Sequence, residues 1–174
     1  MNFHRIAKLL GTLTVFFGLS MALSLFVAVL YGEWSTVLSF AGAIAIAICI
    51  GGGLRWWGRK AGSTIFRREA LVVVAVSWLL TGAIGGLPYM FDGVLTHPAD
   101  AFFEAISGLT TTGATVFDSP DMFCDDGVCD GIASHGIHFW RCFTHWLGGM
   151  GIVVLFVAIF PQLGISAKFL FKSE

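Results

Sequence analysis

The stretch Asp100-Ala-Phe-Phe-Glu-Ala-Ile-Ser-Gly-Leu-Thr-Thr-Thr-Gly-Ala-Thr115 decides the fold of this chain. Its first part predicts a helix from Pro98 to Leu109, because apolar residues recur there at three- and four-residue spacing and proline favours the first helical position. A helix of about twelve residues is roughly 18 Å long, which is too short to cross a hydrocarbon core of about 30 Å. It runs directly into a Thr-Thr-Thr-Gly turn, and this favours a segment that dips into a membrane and returns.

The Thr-Thr-Thr-Gly turn has the composition of a potassium-selective filter loop. Such a loop turns backbone carbonyls inward to replace the water shell of an ion, and threonine hydroxyls extend the column of oxygens. Glycine supplies backbone angles that alanine resists, and a cation there lies near the negative end of the preceding helix. The residues expected to contact K+ are Thr111, Thr112, Gly113 and Ala114. The alternative is an external threonine-rich turn after an amphipathic helix.

The composition predicts an all-α integral membrane protein. Of 174 residues, 56% are hydrophobic and only 12% are charged, and the mean hydropathy is +0.83. Four apolar stretches are each near or above the ~20 residues that a transmembrane helix needs, namely 9–31, 35–54, 70–91 and 142–167. The first is longer than the apolar region of a signal peptide, so we expect four transmembrane helices.

The charges predict the orientation of these helices. Nine of the ten Lys and Arg residues lie in the N-terminus, the segment 55–68 and the C-terminal tail, while the connection 92–137 is acidic and carries neither. By the positive-inside rule both termini are cytoplasmic and the acidic connection is external. The short helix and its loop are therefore predicted to enter from outside. Residues 1–68 then form two peripheral helices with a basic cytoplasmic linker, and residues 69–174 form one helix–pore loop–helix repeat.

The tenth basic residue, Arg141, stands near the predicted outer membrane face, where an unpaired guanidinium beside lipid is costly. We expect it to pair with Glu104 and thereby hold the filter loop in register. The alternative is an arginine that snorkels to external water.

Two further groups of residues offer other chemistry. Cys124 and Cys129 lie in the external connection, where a disulfide persists in an oxidising envelope, whereas their spacing fits no zinc site or EF-hand. His135, His138 and His145 lie near the start of the last helix, but no facing pair of ligands accompanies them. No nucleophile–base arrangement or phosphate loop is present in the sequence, so we predict no enzyme activity.

Two blocks of sequence resemble the membrane subunit of the Trk potassium-uptake family, within the Trk/Ktr/HKT superfamily. The first is the stretch from Asp100 to Thr115, and the second runs from Trp140-Arg141 through His145-Trp146-Leu-Gly-Gly-Met-Gly to Pro161-Gln-Leu-Gly164. Trp56-Trp57, Arg68-Glu69 and Gly86-Leu-Pro88 agree with the earlier part of that subunit, so the resemblance covers nearly the whole chain.

The resemblance implies a passive K+ pathway in the bacterial inner membrane, built from four helix–loop–helix repeats with two extra helices ahead of the first. Gly113 maps to the central filter glycine, Thr111, Thr112 and Ala114 supply neighbouring carbonyls, and Thr110 and Thr115 flank them as support. The transported ion is K+, no cofactor is implied, and the partners are lipid and a cytosolic nucleotide-binding regulatory subunit rather than nucleic acid. The tyrosine and second glycine of channel-type Thr-Val-Gly-Tyr-Gly filters are absent.

One loop cannot close a ring of oxygens around K+, because such a ring takes four. We expect the chain to be the N-terminal part of a longer transporter whose other repeats complete the filter. The alternatives are a split product completed by another chain, a single-repeat protomer of a symmetric tetramer, and a non-conducting membrane scaffold.

Overall fold

The computed structural model describes residues 3–59, 67–117 and 133–159. Within these ranges the chain forms six α-helices and no strand: α1 (Phe3–Ser20), α2 (Ala22–Leu30), α3 (Trp34–Trp57), α4 (Arg67–Phe91), α5 (Pro98–Leu109) and α6 (His135–Ile159). By length and composition, three of the described segments can cross a membrane, and they are Phe3–Leu30, Trp34–Trp57 and Glu69–Phe91. The chain is thus all-helical, with several apolar helices.

The first apolar segment begins earlier than its hydropathy predicts. The apolar stretch starts at residue 9, whereas α1 starts at Phe3 and includes Arg5 and Lys8. Lys and Arg have high helix propensity and carry long apolar stems, so they extend a helix beyond its apolar stretch. Met21 separates α1 from α2, yet its φ of −62° and ψ of −18° remain in the helical region.

The segment 55–68, predicted as a basic linker, is shorter in the structure. Helix α3 continues to Trp57 and α4 begins at Arg67, so both ends of the predicted linker are helical. Arg55 lies in the last turn of α3, where a cation interacts favourably with the negative end of the helix dipole. Near the same end of the bundle, the Arg5 guanidinium lies 3.8 Å from the buried carboxylate of Glu69.

Small residues bring α1 and α3 into close contact. A Cβ atom added to Gly11 would lie 2.5 Å from the carbonyl oxygen of Gly51, and one added to Gly18 would lie 2.5 Å from the Cβ of Ala47. Helices in lipid gain no hydrophobic drive from association, so close backbone approach supplies the packing energy instead.

Helix α6 packs into the centre of the bundle through Trp140. This side chain is fully buried and donates a hydrogen bond of 3.0 Å from Nε1 to the carbonyl of Gly85 in α4. The rings of Phe17 and Phe40 pack against it at centroid distances of 5.6 and 6.1 Å. One indole therefore joins α1, α3, α4 and α6.

The beginning of α6 is capped by a residue from the α2–α3 connection. The Glu33 carboxylate accepts hydrogen bonds from the backbone N–H groups of His135 and Gly136, at 2.7 and 3.0 Å, and contacts the His135 ring at 2.8 Å. Tyr31 stacks on that ring with a centroid distance of 3.9 Å. A carboxylate here satisfies amides that have no partner within the helix and matches the positive end of its dipole.

A second polar contact joins α3 to the end of α4. The Thr36 hydroxyl donates a hydrogen bond of 2.8 Å to the Asp92 carboxylate. Burial raises the pKa of Asp92 above its usual range, the hydrogen bond from Thr36 opposes this shift, and the charge of Glu33 adds to it.

Candidate functional site

Helix α5 is held between α4 and α6 by glycines on both neighbours. A Cβ on Gly86 of α4 would lie 2.8 Å from the carbonyl oxygen of Ala101, and one on Gly148 of α6 would overlap the carbonyl of Leu109. A Cβ on Gly82 would overlap the end of the Ile106 side chain. At Gly86 and Gly148 the contact is with backbone atoms, which cannot move aside as a side chain can, so α5 is held closely on both sides.

The chain leaves α5 through a tight turn and then runs back beside it. The amides of Thr110, Thr111 and Thr112 donate to the carbonyls of Ile106, Gly108 and Ser107, at 2.8, 3.0 and 3.0 Å. Residues 110–115 are exposed, while Leu109 before them is buried, Val116 after them is half-buried and Phe117 is buried. The candidate filter loop is therefore exposed along residues 110–115 and rests on buried residues of α5.

The backbone of this loop alternates in the sign of φ. Thr111 has φ of 55° and Gly113 has φ of 77°, whereas Thr110 has φ of −82°, and Thr112 and Ala114 are not among the residues with positive φ. In an extended chain successive carbonyls point to opposite sides, and alternating the sign of φ turns them toward one side. For a β-branched threonine the left-handed region costs of order 1–3 kcal/mol, and such strain concentrates at functional sites.

The returning segment is tied to α5 by Glu104, whose side chain is 1% exposed. It accepts hydrogen bonds from the Thr115 hydroxyl at 3.1 and 3.3 Å and from the amide of Val116 at 3.0 Å. The Nε of Arg141 in α6 donates to the same carboxylate at 2.5 Å. The predicted pairing of Glu104 with Arg141 is thus present, and one buried charge joins the helix, the loop and α6.

Three further contacts order the loop itself. The hydroxyls of Thr110 and Thr112 are hydrogen-bonded to each other at 2.7 Å. The hydroxyl of Ser107, in α5, donates to the carbonyl of Ala114 at 2.5 Å. Thr115 in turn accepts a hydrogen bond of 3.2 Å from the amide of Phe117.

The structure brings the predicted residues 110–115, Glu104 and Arg141 together at one place. Cys124 and Cys129 lie outside the described residues. Cys49 and Cys142 carry free thiols, and within the described ranges no group of His, Cys, Asp or Glu is arranged to hold a metal ion. Sequence reasoning missed Ser107, because a serine within a helix gives no signal of a contact beyond it.

The sequence matches a known family over most of its length. Residues 37–174 match the family described as TrkH, a cation transport protein. The chain is 35% identical over 175 residues to the Trk system potassium uptake protein TrkH of Escherichia coli K12, covering 100% of this chain and 34% of that protein. It is 32% identical over 170 residues to TrkG of the same organism, covering 97% and 33%. The chain therefore spans about a third of the length of these relatives.

The backbone is similar to a solved transporter. The crystal structure of the potassium transporter TrkH from Vibrio parahaemolyticus matches with a TM-score of 0.82 at 34% identity, over 95% of this chain and 33% of that one. The all-helical arrangement of the described residues is therefore that of a membrane transporter.

Proposed function

Because the chain belongs to the TrkH family of cation transport proteins, we propose that it takes part in potassium uptake and supplies the first quarter of a K+-selective pathway. The observation that carries this proposal is the alternating φ of Thr111 and Gly113 in an exposed loop. The bonds from the amides of Thr111 and Thr112 back to Gly108 and Ser107 form a helix C-cap that accounts for the positive φ of Thr111. Close packing does not account for that of Gly113, since a Cβ there would meet nothing within 4 Å. A row of carbonyls turned to one side does account for it, because K+ must exchange its water shell for protein oxygens.

The carbonyls of Thr111, Thr112 and Gly113 are the oxygens that face the ion in this proposal, and Ala114 closes the filter loop. They stand at the C-terminal end of α5, where the helix dipole places partial negative charge. Glu104 and Arg141, with Thr110 and Thr115, hold the loop in place from behind. Their hydrogen bonds support this role, because a filter that binds K+ by geometry needs a rigid frame.

We place α5 as a re-entrant helix that enters the membrane from the outside. The fourth crossing is α6, which adds to the three apolar segments described above. Both termini then lie in the cytoplasm and the membrane is the bacterial inner membrane. Large apolar side chains on the outer faces of the bundle fit lipid contact, among them Phe16, Phe26 and Leu38.

The remaining filter oxygens come from other repeats in this proposal, because a single loop supplies one side of a ring. The exposed face of residues 110–115 and the one-third coverage of the relatives both support this. By the resemblance to the Trk family, a cytosolic nucleotide-binding regulatory subunit docks on the inner face, near the basic segment between α3 and α4.

Rubidium uptake by cells that lack potassium transport tests the proposal. The chain is expressed alone and also joined to the remaining two thirds of the Escherichia coli TrkH protein, each with and without Gly113→Ala. Gly32→Ala is the matched control, because Gly32 has φ of 73° and nothing within 4 Å but lies in the α2–α3 connection.

We expect uptake by the joined protein to be lost in Gly113→Ala and kept in Gly32→Ala, with membrane abundance of both verified. Uptake that survives Gly113→Ala unchanged would overturn the filter assignment and favour a scaffold. Uptake by the chain alone would show a symmetric assembly of single repeats instead of a quarter pore.

A further inference from the structure

Ser107 contacts the filter loop at two points. Its side chain is 4% exposed and lies within the last turn of α5. Its backbone carbonyl accepts the amide of Thr112 at 3.0 Å, and its hydroxyl donates to the carbonyl of Ala114 at 2.5 Å. The two contacts lie on either side of Gly113, so one residue fixes both ends of the turn around the filter glycine.

The hydroxyl contact is unusual for a serine in a helix. Serine and threonine within helices commonly donate to a carbonyl three or four residues earlier. Ser77 does so to Val74 at 2.8 Å, and Thr81 does so to Ser77 at 2.7 Å. Ser107 instead donates to a residue seven positions later in the chain. The hydroxyl therefore binds the loop and not the helix that contains Ser107.

The contact also settles where the Ala114 carbonyl points. Ser107 is on the buried side of the loop, so an oxygen bonded to its hydroxyl is directed at α5 and away from the open edge formed by residues 110–115. An ion on the open side meets the carbonyls that precede Ala114. On the basis of the proposed function, we infer that Ser107 is a positioning residue of the filter. It holds the Ala114 carbonyl toward α5 and so ends the row of ion-facing oxygens at Gly113.

This arrangement has a consequence for ion selection. Preference for K+ over Na+ depends on how many oxygens face the ion and how firmly they are held. Without the Ser107 hydroxyl, the Ala114 carbonyl is free to rotate into the row, and the turn around Gly113 loses one of its two anchors. A more adaptable set of oxygens accommodates the smaller Na+ better, so selectivity falls while permeation continues.

The test compares rubidium and sodium uptake through the chain joined to the remaining part of Escherichia coli TrkH. The variants are Ser107→Ala, which removes the hydroxyl, and Ser107→Cys, which keeps a side chain of similar size with a much weaker donor. Ser77→Ala is the matched control, because it removes a serine hydroxyl bond that lies entirely within α4. Gly113→Ala reports on the filter itself.

We expect Ser107→Ala to lower the ratio of rubidium to sodium uptake by about threefold to tenfold, the range for one lost hydrogen bond. Ser107→Cys should give an intermediate ratio, and Ser77→Ala should match the parent protein. A parental ratio in Ser107→Ala, or in Ser107→Cys if the alanine variant is absent from the membrane, would overturn the inference. If the ratio is parental in Gly113→Ala as well, the filter assignment itself fails.

Discussion

Replacing Glu104 should destabilise the protein more than any other single carboxylate change in α5. The Glu104→Ala change leaves the Arg141 side chain, which is only 18% exposed, without its carboxylate. It also removes the acceptor for the Thr115 hydroxyl and the Val116 amide. Removing one member of a buried ion pair costs about 3–5 kcal/mol. At roughly 2–4 °C per kcal/mol for a chain of this size, the midpoint of thermal unfolding should fall by about 6–20 °C.

The measurement is thermal unfolding of the purified chain in detergent, arranged as a double-mutant cycle. Glu104→Gln and Arg141→Met each leave one charge unpaired, whereas the double variant leaves none. The double variant should therefore be less destabilised than the sum of the singles by about 1–3 kcal/mol. Asp100→Asn is the control, because it lies in the first turn of the same helix and a lost dipole interaction there costs about 0.3–1 kcal/mol.

Two results would refute this reasoning. If the single changes add to within about 0.5 kcal/mol, the two side chains do not interact. The charge swap Glu104→Arg with Arg141→Glu gives the second check. It should restore stability only in part, because an arginine at position 104 cannot accept the Val116 amide. Full restoration would mean that the backbone contact contributes nothing.

Two further predictions concern helix packing and pH. Gly148→Ala should lower the free energy of unfolding by about 1–3 kcal/mol, because the new Cβ would overlap the carbonyl of Leu109. Thermal unfolding measures this loss. The neighbouring Gly149→Ala should be neutral or stabilising, since its nearest atom would be 3.8 Å away, and equal losses in both would contradict the contact. The raised pKa of Asp92 means that its contribution to stability is largest below the ordinary aspartate pKa and falls as pH rises through the raised value. The Asp92→Asn variant should therefore be more stable than the parent at neutral pH, and its stability should depend less on pH. Thermal unfolding of both proteins from pH 3 to 7 measures this, and identical pH dependence in the two would disprove the prediction.

The parts of the structure that follow from local chemistry were predictable from the sequence. Pro98 and the apolar spacing defined α5 at the bounds the structure gives. The scarcity of charge in the apolar segments singled out Arg141 and led to the prediction that it pairs with Glu104, a contact that the structure shows. Hydropathy failed at the start of α1, because it reports where the chain is apolar, whereas backbone propensity decides where a helix begins.

Contacts between distant segments were not predictable in this way. Glu33 caps a helix that begins 102 residues later, and no local sequence pattern indicates that it binds the start of α6. Ser107 resembles any small polar residue inside a helix until the loop is seen to return beside it. Both depend on how the helices pack, which hydrophobic periodicity does not encode.

The cap on α6 has a consequence for how the protein is made. Chains emerge N-terminus first at about 5–20 residues per second, so Glu33 leaves the ribosome roughly 5–20 s before the His135 amide that it will bind. In that interval α3 and α4, like α1 and α2 before them, leave the ribosome ahead of α6. The position of α6 thus depends on a residue made much earlier, because the first amides of α6 bind Glu33.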